Sequence, residues 1–499
     1  MRRIALLLLL ALLATTACED GTEAPMLSEP APEPDSTAAP PATVTPPADV
    51  SPDSTTILAV AAPGAPGIGD PYFPHLGNGG YDVVAYRLDL EIDPIGNTLD
   101  AAVEIDAIAT STLTSFNLDF SGPTIDSLQV SGSDAPFRRS GSELIVTPGA
   151  PLPAGRDFTV LVSYRGTPTT DDPPAGGDWG WVHTEDLVYV VAQPESAHHW
   201  FPCNDHPLDK APFTFEVTVP DPFVAAANGL LVGATTMGDG RTTYHWAMED
   251  PMATYLATVV VGRFQRIDRG KAGGVVIRDY MPTDLAGRTP EAFSLTEEMI
   301  EVLEPLFGPY PFDSYGHTVV PGFFGALEAQ TLSIFSRHTL GPILEIIVVH
   351  ELAHQWFGNS LTPANWRDIW LNEGFATYAE WLWIEHTRGR AAMEEEISAS
   401  HAYMSFAPHS LAGDPGADDL FGQSVYVRGG MTLHALRLLV GDDEFFTILR
   451  TYTDRFMYAN VTTDDFISVA EEISDRDLDA FFDAWLYRED LPEFPAAAS

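Results

Sequence analysis

Lysine is almost missing from this 499-residue chain: of its 25 Lys and Arg only Lys210 and Lys271 are lysines, and they face 71 Asp and Glu, for a net charge of −46. Affinity for a phosphate backbone comes from clustered Lys and Arg, so this balance argues against a nucleic-acid partner. Salt adaptation accounts for the shortage of lysine, and so does a GC-rich genome that trades Lys for Arg. Cysteine is scarce too. Cys18 and Cys203 allow one disulfide at most, exclude a cysteine-rich framework, and are placed where pairing is not expected. No hydrophobic run reaches the ~20 residues of a membrane-spanning helix, and no internal repeat of solenoid period is present. What the chain does have is apolar material, 45% hydrophobic and 11% aromatic residues, enough for packed cores in two or three domains.

Residues 1–17 are expected to be a signal peptide, with Arg2 and Arg3 as the basic start and residues 4–14 as the apolar segment. The run closes on Thr15, Thr16, Ala17 and Cys18. This resembles a bacterial lipoprotein signal, in which the cysteine becomes the lipidated first residue, although Thr15 stands where such signals usually carry an aliphatic. The expectation is an exported protein anchored to a membrane through Cys18; the alternative is a periplasmic or secreted one. Residues 18–68, rich in Pro, Ala, Ser, Thr and acid and without Lys or Arg, read as a disordered linker, because they bury too little apolar surface to order themselves.

Period two then takes over. Leu88, Leu90 and Ile92 alternate with Asp89, Glu91 and Asp93; Val103, Ile105 and Ala107 alternate with Glu104 and Asp106; Phe213, Phe215, Val217 and Val219 alternate with polar neighbours. Alternation of this kind predicts half-buried antiparallel strands, hence a β domain over residues 69–279. From residue 280 to 499 the period lengthens, and residues 291–303, 343–357, 369–386, 431–439, 444–458, 466–473 and 478–485 read as helices.

Inside the apolar run 343–357 lies His350-Glu351-Leu352-Ala353-His354. On a helix the two histidines are one turn apart and share a face, so both imidazoles can hold one metal, with Glu351 beside them. Hydrolytic zinc sites keep three protein ligands and leave the fourth position for water. With eighteen residues intervening after His354, Glu373 opens the next predicted helix and can return a carboxylate to the histidines. Buried without a metal, the three would be costly in an apolar helix pair.

The segment 349–380, VHELAHQWFGNSLTPANWRDIWLNEGFATYAE, resembles the zinc-binding core of the M1 family of metallo-aminopeptidases, gluzincins with this spacing. Gly325-Ala326-Leu327-Glu328-Ala329 resembles the family's Gly-Ala-Met-Glu-Asn exopeptidase motif. Residues 193–207, QPESAHHWFPCNDHP, resemble the segment ending Phe-Pro-Cys-x-Asp-x-Pro. Val425-Tyr426-Val427-Arg428-Gly429 resembles the Tyr-x-Lys-Gly stretch, and residues 477–492 resemble the close of the catalytic domain. The resemblance implies an α+β chain, a saddle-like antiparallel β domain followed by a thermolysin-like helical peptidase domain, in a short form without the helical-repeat domain that many members carry. It implies one Zn2+ on His350, His354 and Glu373, Glu351 as general base and Tyr426 as donor to the oxyanion. Glu328 and Gln193 would hold the free amine of a peptide substrate, beside Gly325, Ala326 and Leu327. Three departures bear on that subsite: Gln193 is neutral where some members have Glu, Leu327 replaces Met, and Ala329 replaces Asn.

Glu380, on the face of Glu373, is either a partner for a ligand histidine or a surface acid. Cys203 is expected to be a small buried residue, and His198, His199 and His206, which lack ligand spacing, to be structural. Two other readings share these motifs: a thermolysin-type endopeptidase, opposed by the Glu328 and Gln193 segments, and a silent binding module, opposed by the joint presence of His350, Glu351, His354, Glu373 and Tyr426.

Overall fold

The structure is a computed structural model and describes residues 61–171, 179–285, 287–323, 325–406 and 410–497. The expected signal peptide, Cys18 and most of the expected linker lie outside the described residues. The end of that linker needs correction. Residues 61–68 are not free chain, because Ala62–Pro63 pair in parallel with the strand Leu113–Asp119, and the Gly64 amide donates to the Ser115 carbonyl at 2.8 Å.

The period-two segments form strands. In Tyr81–Asp93 and Thr98–Ala109 the alternating residues Leu88, Leu90, Ile92, Val103, Ile105 and Ala107 are buried while their acidic neighbours face outward, and the two strands pair antiparallel with Leu90 opposite Ala101. They are central in an eight-stranded sheet completed by Asp157–Gly166, Thr124–Val130 and Ser133–Asp134 on one side and Ala211–Pro220, Arg241–Met252 and Leu230–Thr236 on the other. One junction, Tyr81–Asp93 with Ala211–Pro220, is parallel. On the buried face Tyr86 stacks on Phe213 with centroids 4.6 Å apart, and Tyr81 meets Phe116 of a smaller four-stranded sheet edge-on. A five-stranded sheet contains Leu187–Val191, nearly all buried, which leads directly to Gln193.

A further five-stranded sheet was not legible as such. The hairpin Phe264–Ala272 and Val275–Pro282 continues in parallel to Ser314–Val320 and Ser333–Ser336, and ends on the short antiparallel edge strand Ala326–Leu327. A division at 279/280 cuts through this sheet, whose strands hydrogen-bond across it. The helices follow: Thr296–Phe307, Leu344–Ala353, Trp370–Arg388, Arg390–Met404, Gly429–Val440, Asp442–Arg455, Thr463–Ser474 and Asp479–Leu486. Arg390–Met404 was not expected, since it buries little beyond Met393, Ile397 and Met404. Among the described residues no helix is long and apolar enough to cross a membrane.

Candidate metal centre

The helix Leu344–Ala353 is apolar on every side and buried, so it is held by packing rather than by the helix preference of its β-branched Ile and Val residues. Its C-terminal end carries His350 and Glu351, with His354 as the residue that closes it. The next long helix, Trp370–Arg388, presents Glu373 in its first turn, where a carboxylate is favoured by the exposed N–H groups. The two helices are joined by Trp383 Nε1 donating to Glu345 at 2.7 Å and by Phe357 packed on Phe375 at 4.4 Å.

These elements bring the three expected ligands together. Glu373 Oε2 lies 3.3 Å from His350 Nε2 and 3.3 Å from His354 Nε2. A tetrahedral ion with bonds of about 2.0 to 2.1 Å separates its ligand atoms by about 3.3 Å, so the cradle has the dimensions of a zinc site. The far nitrogens are committed: His350 Nδ1 bonds Glu380 at 2.8 Å and His354 Nδ1 bonds the Phe357 carbonyl at 3.1 Å, which turns both Nε2 atoms toward Glu373. Glu380 is thus the partner of His350, an expected ligand, and not a free surface acid. Replacing it with Ala is expected to weaken zinc binding by about 10- to 100-fold, read by competition against a chromogenic chelator.

The electrostatics ask for a cation. Glu328, Glu351 and Glu373 are all nearly inaccessible to solvent, and Glu328, Glu351 and His354 have donor atoms within 4.8 Å of one another. Burial pushes the Glu351 carboxyl up, the two imidazoles oppose this, and the carboxylates of Glu328 and Glu373 add to it. Burial disfavours charge on Glu373 as well, but His354 and His350 overcome it and hold that carboxyl well below the usual range.

Tyr426 sits in a single π-helical turn, Ser424–Arg428, a local geometry frequent at functional sites. Its ring stacks on His350 at 5.9 Å and its phenol is pushed well above the usual pKa, first by burial and then by the Glu373, Glu328 and Glu351 carboxylates. Two features hold the turn. A Cβ on Gly374 would lie 2.8 Å from Gly429 Cα, so glycine at both positions lets the Glu373 helix and the Tyr426 turn touch backbone to backbone. Arg428, wholly buried, donates to the carbonyls of Ala484, Trp485 and Arg488 at 3.0, 2.6 and 2.6 Å, tying the turn to the last helix.

Glu328 and Gln193, 135 positions apart, form one wall of the site: Gln193 Nε2 donates to Glu328 Oε1 at 2.6 Å. Gly325, at φ 109°, admits the turn into the edge strand Ala326–Leu327 that delivers Glu328. Residues that sequence reasoning passed over complete this wall. Gln355, next to His354, donates to the Glu328 carbonyl at 3.2 Å and accepts from the Thr331 amide at 2.9 Å. Asn359 donates to the same carbonyl at 2.7 Å. Thr331, β-branched at φ 66°, is strained and is held by these bonds and by the Gly229 amide donating to its Oγ1 at 2.7 Å. Their only sequence signal was adjacency to the motifs. Cys203 is a small buried residue with no disulfide partner among the described residues. His198 bonds Asp205 at 2.8 Å, His206 bonds Asp70 at 3.1 Å, and His199 contacts Ser121 and Thr169, so all three are structural.

The comparisons agree with this arrangement. Residues 83–256 match the peptidase M1 N-terminal domain and residues 291–485 the peptidase family M1 domain. Mouse aminopeptidase B is 26% identical over 392 residues, 72% of this chain and 58% of its own. Rat endoplasmic reticulum aminopeptidase 1 is 26% identical over 459 residues, 82% of this chain and 49% of its own. The chain thus spans about half the length of the curated relatives it matches. Among solved structures, an M1 zinc metallopeptidase mutant from Deinococcus radiodurans bound to a Tyr-Ser-Ala substrate superposes with a TM-score of 0.81 at 32% identity, covering 87% of this chain and all of that one. With both family domains matched in order and a solved member superposing over its whole length, this chain belongs to peptidase family M1.

Proposed function

We propose that the protein is a zinc aminopeptidase that removes the first residue of peptides carrying a free amine, with one zinc per chain on His350, His354 and Glu373. The observation that carries this reading is the Gln193–Glu328 pair, because Glu328 lies within 4.8 Å of both Glu351 and His354. In a peptide the amine nitrogen and the carbonyl carbon of one residue are about 2.5 Å apart across Cα. An ammonium held at Glu328 therefore leaves room for a single residue before the scissile carbonyl, which measures off one residue and disfavours a thermolysin-type endopeptidase. Glu328 supplies the charge; Gln193, whose N–H is spent on Glu328, keeps its Oε1 to accept from the ammonium.

Zinc supplies a Lewis acid for the carbonyl and lowers the pKa of water toward about 7. Glu351, which is not a ligand, takes the proton of the attacking water and delivers it to the leaving amine. Tyr426, kept protonated by its raised pKa, donates to the oxygen that becomes negative. The Ala326–Leu327 strand is the edge of its sheet, so its outer backbone groups can hold an extended peptide.

The test compares an aminoacyl fluorophore with its N-acetylated form, with and without chelator. Expected is chelator-sensitive cleavage of the free-amine substrate and about 10- to 100-fold slower cleavage of the acetylated one, the size of a lost hydrogen bond between charged groups. Equal cleavage of both would show that the enzyme is not an exopeptidase. Export, with a membrane tether through lipidated Cys18, belongs to the same proposal and rests on the sequence of residues 1–18.

A further inference from the structure

Lys210 is one of two lysines in the chain, and the other, Lys271, is exposed on a hairpin. Lys210 enters the strand Ala211–Pro220 of the eight-stranded sheet, yet its side chain reaches into the catalytic half: Nζ donates to the carbonyls of Asn359 at 3.0 Å and Ser360 at 2.8 Å. Among the described residues no carboxylate forms an ion pair with it, and burial lowers its pKa to about 7. The residue is half-buried, and its ammonium rests on those two carbonyls.

Asn359 is the next link. It follows the metal-binding helix, its amide N–H donates to the His354 carbonyl at 3.0 Å, and its side-chain Nδ2 donates to the Glu328 carbonyl at 2.7 Å. Its Oδ1 is buried and has no partner among the described residues. The orientation of the Asn359 amide therefore depends on where its own backbone stands, and Lys210 holds its carbonyl together with Thr362, whose Oγ1 donates to the same oxygen at 3.0 Å. The adjacent carbonyls of residues 359 and 360 thus share one compact ammonium on a slender stem.

We propose that Lys210 is a positioning residue for the substrate amine: it fixes the Asn359–Ser360 carbonyls, Asn359 fixes the Glu328 backbone, and the N-terminal β domain thereby sets where the Glu328 carboxylate meets the ammonium. This rests on the aminopeptidase reading above, and its failure is separable from failure of that reading.

The experiment uses the zinc-loaded full chain, wild type against Lys210→Met, with kcat and KM on an aminoacyl fluorophore and inhibition by two hydroxamates, an amino acid hydroxamate and its des-amino counterpart. In Lys210→Met, KM and the inhibition constant of the amino hydroxamate are expected to rise about tenfold, while kcat and inhibition by the des-amino compound change less than about threefold, the size of one misplaced hydrogen bond to a charged group. Equal weakening of both hydroxamates, a fall in kcat alone, or no change overturns the proposal. If Lys210→Met does not fold, Asn359→Ala breaks the same path at its second step, and an undiminished preference for the amino hydroxamate there overturns it as well. If wild type itself fails to prefer the amino hydroxamate, the aminopeptidase reading is what falls.

Discussion

Glu351→Gln is expected to remove turnover almost entirely, with kcat lower by about 10²- to 10⁴-fold, the usual contribution of a positioned acid-base group. KM and zinc content should change little. The reasons lie in the geometry. Glu351 follows His350 by one residue, so on the helix it points about 100° from His350 and about 60° from His354, beside the cradle instead of into it. The ligands keep their supports when it is changed, since Glu380 and the Phe357 carbonyl still hold His350 and His354. Gln has the shape of Glu but cannot accept a proton, and it removes a carboxyl whose charged form is disfavoured by burial and by the Glu328 and Glu373 carboxylates. The variant should therefore be no less stable than wild type. Initial rates and zinc by atomic emission check this together; a variant that keeps its zinc and more than a tenth of wild-type kcat would exclude Glu351 as the base.

Both the fold and the site were legible where the determinants were local. Leu88, Leu90 and Ile92 declared a strand because one face of their sheet is buried and the other wet, and His350 and His354 declared a shared ligand face because a helix turn places them together. Ser314–Val320 was not recognised because every residue in it is buried. A strand covered on both faces has no alternation, and this one includes Tyr315, Gly316 and His317, which do not read as an apolar run. Arg390–Met404 failed for the opposite reason, having too few apolar positions to show a period. In the site, Gln193 and Glu328 were found through resemblance, since nothing in residues 135 apart indicates that one donates to the other. Gln355, Asn359 and Lys210 went unnoticed because they act through backbone carbonyls, and a carbonyl leaves no mark in a sequence.

The second large effect is expected from Tyr426→Phe. Loss of one donor to a developing oxyanion lowers kcat by about 10²- to 10³-fold, and if the bond is made only in the transition state, KM stays near its wild-type value. Phe keeps the ring against His350, and the turn is held from elsewhere, by Arg428 on the carbonyls of the last helix and by the Gly374–Gly429 contact. The substitution therefore removes a hydroxyl without removing a support, and thermal stability should be nearly unchanged. Burial and the neighbouring carboxylates raise the phenol above its ordinary value, which favours the donating, protonated form. A variant whose KM rises while kcat holds would place the hydroxyl on the bound substrate rather than on the transition state, and the oxyanion would then have the metal as its main support.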